Sequence, residues 1–211
     1  MSFLRRSLLA LLVVCITAAV LPMSGARAGE TDPAAAVVEH FHTVLINTMK
    51  AKGKNALERR QILAPVIEKT FDFPRMTRIV TGASAWGEAD EAQRQRLVKA
   101  FSDLNVSIYA AQFHDWSGQR FETVGVEPGP RQARLVHTRL VLPKDPAVDL
   151  TYVMTPAGKD GWQASDILIN GSISQLATRR ADYARTLGAG GLDALSALLE
   201  KQATDLTKDR P

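Results

Sequence analysis

The chain has 211 residues, of which 45% are hydrophobic and 23% charged, with a formal net charge of +4. That length suits one domain, or one domain with a helical elaboration, and allows a real core. Removing the first 28 residues takes away Arg5, Arg6 and Arg27 and leaves 23 basic against 22 acidic residues, a balance that argues against a nucleic-acid partner.

Residues 1–28 read as a cleaved secretory signal peptide. Arg5 and Arg6 form a basic start, Leu8 to Leu21 an apolar run broken only by Thr17, and Ala26-Arg27-Ala28 an A-x-A cleavage pattern. The run is shorter than the ~18–20 apolar residues that cross a bilayer as a helix, which disfavours the competing reading of an uncleaved anchor. The mature chain would be Gly29 to Pro211, outside the cytoplasm. The only cysteine, Cys15, lies in the leader, so stability must come from the core without a disulfide.

From Pro33 to about Trp116 the pattern is helical. Val37, Val38, Phe41, Val44, Leu45 and Met49 form one stripe. Leu57 to Phe71 continues it, with Pro65 expected to start a new helix or kink this one. A short helix from Arg75 to Thr81 should end at Gly82. Asp90 and Gln93 make a variant capping box for a long helix reaching Trp116. On it Leu97, Phe101, Leu104 and Ile108 make one apolar stripe, and Val98, Tyr109, Phe113 and Trp116 a second.

From Gln119 the period becomes two. Four strands are expected at 120–127, 131–142, 147–155 and 161–169, joined by short turns as an antiparallel meander. Val136, Leu140 and Leu142 should point one way, as should Val148, Leu150, Tyr152 and Met154. After Gly171, Ser172 and Gln175 should cap a helix carrying Leu176, Tyr183 and Leu187, with Gly188 to Gly191 ending it. Leu192, Leu195, Leu198 and Leu199 mark a last helix. The fold expected is α+β: a curved four-stranded antiparallel sheet with helices on one face. Residues 29–211 form a single domain, mainly helical over 29–118, sheet over 119–170 and helical over 171–206.

Catalytic and metal motifs are sparse. His40 and His42 diverge by about 200° on a helix and cannot chelate together, while His114 and His137 stand alone, so surface or half-buried histidines and no metal are expected. No G-x-S-x-G, Walker loop or G-x-G-x-x-G occurs. Asp149 and Asp166 are the carboxylates able to serve as a general base; for Asp166 a hydrogen bond to backbone at the end of the sheet is the simpler role. Arg179, Arg180 and Arg185, interrupted by Asp182, read as a solvated face or a docking patch for an acidic partner.

The ordered set Phe71-Asp72-Phe73-Pro74-Arg75-Met76, Gly82, Trp86-Gly87, Gln93-Arg94, Tyr109, Tyr152, Gly161-Trp162, Asp166-Ile167, Gly171, Arg180 and Tyr183 resembles the MlaC / toluene-tolerance auxiliary family of periplasmic lipid carriers. Asn170-Gly171-Ser172-Ile173-Ser174 and Ala177-Thr178-Arg179-Arg180 look most like its hopanoid-associated HpnM branch. The resemblance implies a soluble shuttle carrying phospholipid or hopanoid between an inner-membrane ABC transporter complex and an outer-membrane lipoprotein complex. It implies no cofactor and no catalytic residue. On that reading Val136, Leu140, Leu150, Tyr152 and Met154 form the sheet wall of a lipid site, with Phe101, Leu104 and Ile108 facing it. Gly82, Trp86, Trp162 and Gly171 define the fold. Two other readings stay open: a cone-like α+β enzyme with an Asp base, and an envelope protein-binding adaptor working through the Arg179–Arg185 face.

Overall fold

The structure is a computed structural model that describes residues 31–159 and 161–208; the expected leader lies outside them. Helix α1 spans Pro33–Lys50. The Asp32 side chain accepts the Ala34 N–H and Pro33 fills the first turn, where its missing N–H costs nothing. Its buried face carries Val38, Phe41, His42, Leu45 and Met49. Helix α2, Ala56–Thr70, begins with a full capping box between Asn55 and Glu58. It runs through Pro65 without ending there. Pro65 lies on the exposed side, so the carbonyl it deprives of a partner can be satisfied by water.

Helix α3, Phe73–Thr81, is capped by Asp72, and Gly82 then takes φ 85, a backbone state that favours glycine. A further short helix, α4 at Ala83–Glu88, buries no residue and left no apolar signal in the sequence. The long helix α5 covers Glu91–Gln112, with the Asp90–Gln93 capping box in place. It stops short of the expected Trp116, at the Phe113 cap, and side chains take up carbonyls that the helix end leaves open. The Arg59 guanidinium donates to the Ala110 carbonyl at 2.7 Å, and His114 Nδ1 lies 2.9 Å from the Ala111 oxygen. Trp116 is therefore outside the helix and 41% exposed. Its indole N–H donates to the Gln119 carbonyl, and the Lys50 ammonium sits 4.8 Å from its ring centroid.

The sheet has five strands rather than four, in the order β1 (Arg120–Pro128), β2 (Arg134–Val141), β3 (Val148–Ala157), β4 (Gly161–Ile169) and β5 (Ile173–Ser174). Every pairing is antiparallel. The second strand starts three residues later than expected, since Pro130–Gln132 form a 3-10 turn with Arg131 and Gln132 at positive φ. Register shifts at Val124 and Ser165 mark one extra residue in β1 and one in β4, the bulges that let a sheet bend.

Val136, Tyr152, Met154 and Ala164 are buried on the inner face, against which α1, α2, α3 and α6 pack. The outer face carries Arg139, Asp149, His137 and Leu135, half-buried or exposed. Helix α6 spans Gln175–Thr207 and is broken at Gly190 (φ −157, ψ 21) and Gly191 (φ 62, ψ −156), where two helices were expected to meet. Its cap is Ser174, not Ser172: the Ser174 hydroxyl accepts the Ala177 N–H at 3.0 Å. Pairing of Ile173 and Ser174 with Ile169 and Leu168 keeps the preceding backbone extended, so helical geometry cannot begin before Gln175. Leu192, Leu195 and Leu199 bury the second half of α6, and Arg96 ties it to α5 through Glu200 and Asp193.

Candidate ligand cavity

Between the inner face of the sheet, the second half of α5 and the first turn of α6 lies a cavity of about 260 Å³. Its lining alternates with solid core. Of the eight side chains expected at a lipid site, Phe101, Ile108, Leu140, Leu150 and Tyr152 line it. Leu104, Val136 and Met154 do not; they are 2%, 0% and 0% exposed and belong to the packed core beneath. Leu104 and Ile108 share one stripe of α5, yet Leu104 is packed in the core and Ile108 lines the cavity.

The rest of the wall comes from Leu45, Phe71, Phe73, Met76, Tyr109, Phe113, Phe121, Ile167, Ile169 and Leu176. Tyr109 and Phe113 belong to the second stripe of α5, so the sequence carried a signal for them. Phe71 and Phe121 come from other elements and carried none. The rings form a continuous arc. Tyr109 packs edge-on to Phe41 at 5.3 Å and stacks on Phe113 at 5.6 Å; Phe113 stacks on Phe121 at 6.3 Å, and Phe121 on the His42 imidazole at 3.8 Å.

His42 departs from expectation, being buried rather than surface or half-buried. Its Nε2 is 2.9 Å from the Tyr152 hydroxyl. Burial without a counter-charge lowers its pKa to about 3, so the ring is neutral at ordinary pH. Burial also pushes the Tyr152 hydroxyl far above the usual phenol range, with the neighbouring Tyr109 adding to it, and burial raises Tyr109 as well. His40 and His114 are exposed. His137 lies on the outer face, with Nδ1 2.9 Å from Thr151 Oγ1 and Nε2 3.2 Å from Glu127. Among the described residues no group of three His, Cys, Asp or Glu comes together to hold a metal.

The two candidate carboxylates have structural partners. Asp149 is paired with Arg139 at 2.7 Å on the outer face, and that hydrogen bond holds its carboxyl below the usual range. Asp166 reaches the cavity rim but accepts from three donors: the Ile167 N–H at 2.8 Å, the Leu176 N–H at 3.2 Å and the Ser174 hydroxyl at 2.6 Å. It locks the end of β4 to the start of α6.

Polar side chains also line the cavity: Asn105 and Gln112 from α5, Gln175 and Arg179 from α6. The three arginines grouped in the sequence thus separate. Arg179 turns to the cavity, Arg180 lies against Gly82, where a Cβ would come within 3.3 Å of its guanidinium, and Arg185 is in solvent.

The MlaC protein family model matches residues 35–201, a span running from α1 to the last turns of α6. The chain belongs to the MlaC family. Comparison with curated proteins returned no match. Among solved structures, a phospholipid-binding protein from Ralstonia solanacearum, determined in complex with a phospholipid, is similar at 23% identity and a TM-score of 0.71. The likeness covers 84% of this chain and 100% of that one, and it shows that the two share a fold. No helix among the described residues of this MlaC-family chain is long and apolar enough to cross a membrane.

Proposed function

We propose that this protein is a soluble lipid-binding carrier that shelters apolar tails in the cavity between the sheet and helices α5 and α6. The observation that carries this reading is the cavity itself: a lining that is mostly aromatic and aliphatic, in a chain of the MlaC family. A tail in water costs about 0.8 kcal/mol per CH₂, so a carrier needs a dry recess and no reactive group. The volume lies a little under the roughly 300–1,000 Å³ of ordinary small-molecule pockets. Loading a whole lipid therefore calls for α5 and α6 to part from the sheet.

Ligation of a phospholipid by the similar Ralstonia solanacearum protein supports this reading. The finer reading rests on resemblance: residues 29–211 act as one domain in the periplasm after cleavage at Ala28. There they serve an ABC-type transport system between the inner and outer membranes, with a hopanoid-associated role as in the HpnM branch.

The test is mass spectrometry of an organic extract of purified Gly29–Pro211. Stoichiometric lipid is the expected result. A blank extract, repeated after incubation with membrane lipids, overturns the carrier and shifts the reading to an adaptor with no ligand in its core.

A further inference from the structure

Three loops meet at one end of the molecule. The turn between α1 and α2 touches the connection from α5 to β1, where the Lys50 ammonium sits over the Trp116 ring. The Arg59 guanidinium ties the two together from within, donating to the Lys54 and Ala110 carbonyls. The same connection touches the β2–β3 loop: a Cβ at Gly118 would lie 3.3 Å from the Pro143 ring. This end carries Lys50, Lys52, Lys54 and Lys144, and none of them forms an ion pair among the described residues. Asp115 and Asp145 are the acidic side chains on these loops, and Glu58, at the start of α2, is engaged with the Asn55 N–H. In a mature chain of 23 basic and 22 acidic residues, the lysines are a local excess and not a reflection of the total. Beside them Trp116 is 41% exposed. Its indole N–H already donates to the Gln119 carbonyl at 2.9 Å, so the ring can leave water without stranding a donor.

We propose that this end of the molecule is a docking surface for an anionic membrane, with Trp116 entering the head-group layer and Lys50, Lys52, Lys54 and Lys144 lying against it. Tryptophan is enriched at the boundary between water and lipid, and each lysine near an anionic surface gains from its negative potential. An acidic protein partner fits less well: no arginine stands in these loops, and lysine offers a point charge without the planar fork that pairs with carboxylates. The proposal goes beyond the carrier reading and does not depend on what the cavity holds. Gln112 and Phe113, which lead into the Trp116 loop, line the cavity, so docking would bring the cavity close to the bilayer.

The test is co-sedimentation of purified Gly29–Pro211 with sucrose-loaded vesicles, either of phosphatidylcholine alone or of equal parts phosphatidylcholine and phosphatidylglycerol. Protein that only takes lipid into its cavity stays in the supernatant, so the readout separates docking from cargo uptake. Wild type should sediment with the mixed vesicles, far less with phosphatidylcholine alone, and be released at about 1 M salt, where charges are screened beyond roughly 3 Å. Lys50→Gln, Lys52→Gln and Lys54→Gln should each weaken binding to the mixed vesicles by about fivefold. Trp116→Ala should weaken it by about as much, through the lost apolar area. These side chains are exposed or half-buried, and an unchanged thermal melt checks that each variant is folded. Lys159→Gln removes the same charge from the β3–β4 turn, at the opposite end of the sheet from Lys144, and should change nothing. Wild type that fails to sediment with the mixed vesicles overturns the proposal and leaves the surface to an acidic protein partner. Equal losses in Lys159→Gln and Lys52→Gln overturn it too, since binding would then follow net charge, as does undiminished binding by Trp116→Ala. None of these failures touches the carrier reading, which stands or falls on the lipid extract.

Discussion

Acid should weaken this fold through one identifiable group. His42 is buried on α1, stacked on Phe121 and joined to the Tyr152 hydroxyl, and its pKa is lowered to about 3 against an ordinary 6.5. The folded state therefore resists the proton that the unfolded chain accepts. Stability from this group is fully present above pH 6.5 and is lost as pH falls towards 3, because the unfolded state binds more protons throughout that window. Between pH 7 and pH 4 the loss amounts to about 3 kcal/mol, at up to about 1.4 kcal/mol per pH unit. Urea unfolding of wild type and of His42→Phe at both pH values isolates the term, since the exposed carboxylates titrate alike in the two proteins. The variant loses the Tyr152 partner and should be weaker at pH 7 by about 1–3 kcal/mol, yet its further loss at pH 4 should be smaller than wild type's by about 3 kcal/mol. Equal pH sensitivity in the two proteins would refute the argument that a neutral, desolvated His42 is held in the core.

Three further outcomes follow from the same geometry. Leu140→Asp and Leu150→Asp place a charge on half-buried cavity wall and should each lower lipid retention by about tenfold or more while the thermal melt stays cooperative; normal retention in a folded variant would show that the wall is misassigned. Asp166→Asn removes the charge that draws three donors together and should cost about 1–3 kcal/mol in urea unfolding, whereas an enzyme with Asp166 as base would keep its stability and lose turnover. Gly191→Ala puts a side chain at φ 62, ψ −156, a region open essentially to glycine, and should destabilise by about 1–3 kcal/mol, with an unchanged melting midpoint counting against a real break in α6.

The class of fold was legible because periodicity reports burial on a regular element. Phe101 and Leu104 on α5, and Val136, Tyr152 and Met154 on the sheet, declare their inward faces through spacing alone. Short elements have no period to read: β5 is two residues, and α4 buries nothing. The cap at Ser174 depended on Asp166 and on pairing with β4, both tertiary events. The cavity wall was harder for a different reason. Leu104 and Ile108 are equivalent in sequence pattern, and only tertiary packing makes one core and the other lining. Arg179 looked like one of three surface arginines, and helix phase alone did not say which of them would meet an opening.

The cavity is best understood as an apolar surplus held open by a rigid frame. On α5, Leu97 and Leu104 are buried in ordinary close packing, while Phe101 between them lies edge-on to Phe73 at 6.1 Å and to Tyr183 at 6.5 Å and also lines the cavity. The facing residues leave a gap beside it, next to the place where Asp166, Ser174 and the short β5 pairing tie β4 to the start of α6. The end of α5 is likewise fixed, by Arg59 on the Ala110 carbonyl and by the Arg60–Asp103 ion pair at 2.7 Å. Collapse of the lining would have to break these polar ties, whose loss leaves buried or half-buried donors without partners at about 1–3 kcal/mol each. A fold that spends hydrogen bonds to keep Ile108, Phe113, Leu150 and Ile167 apart is arranged for an occupant that brings its own apolar surface.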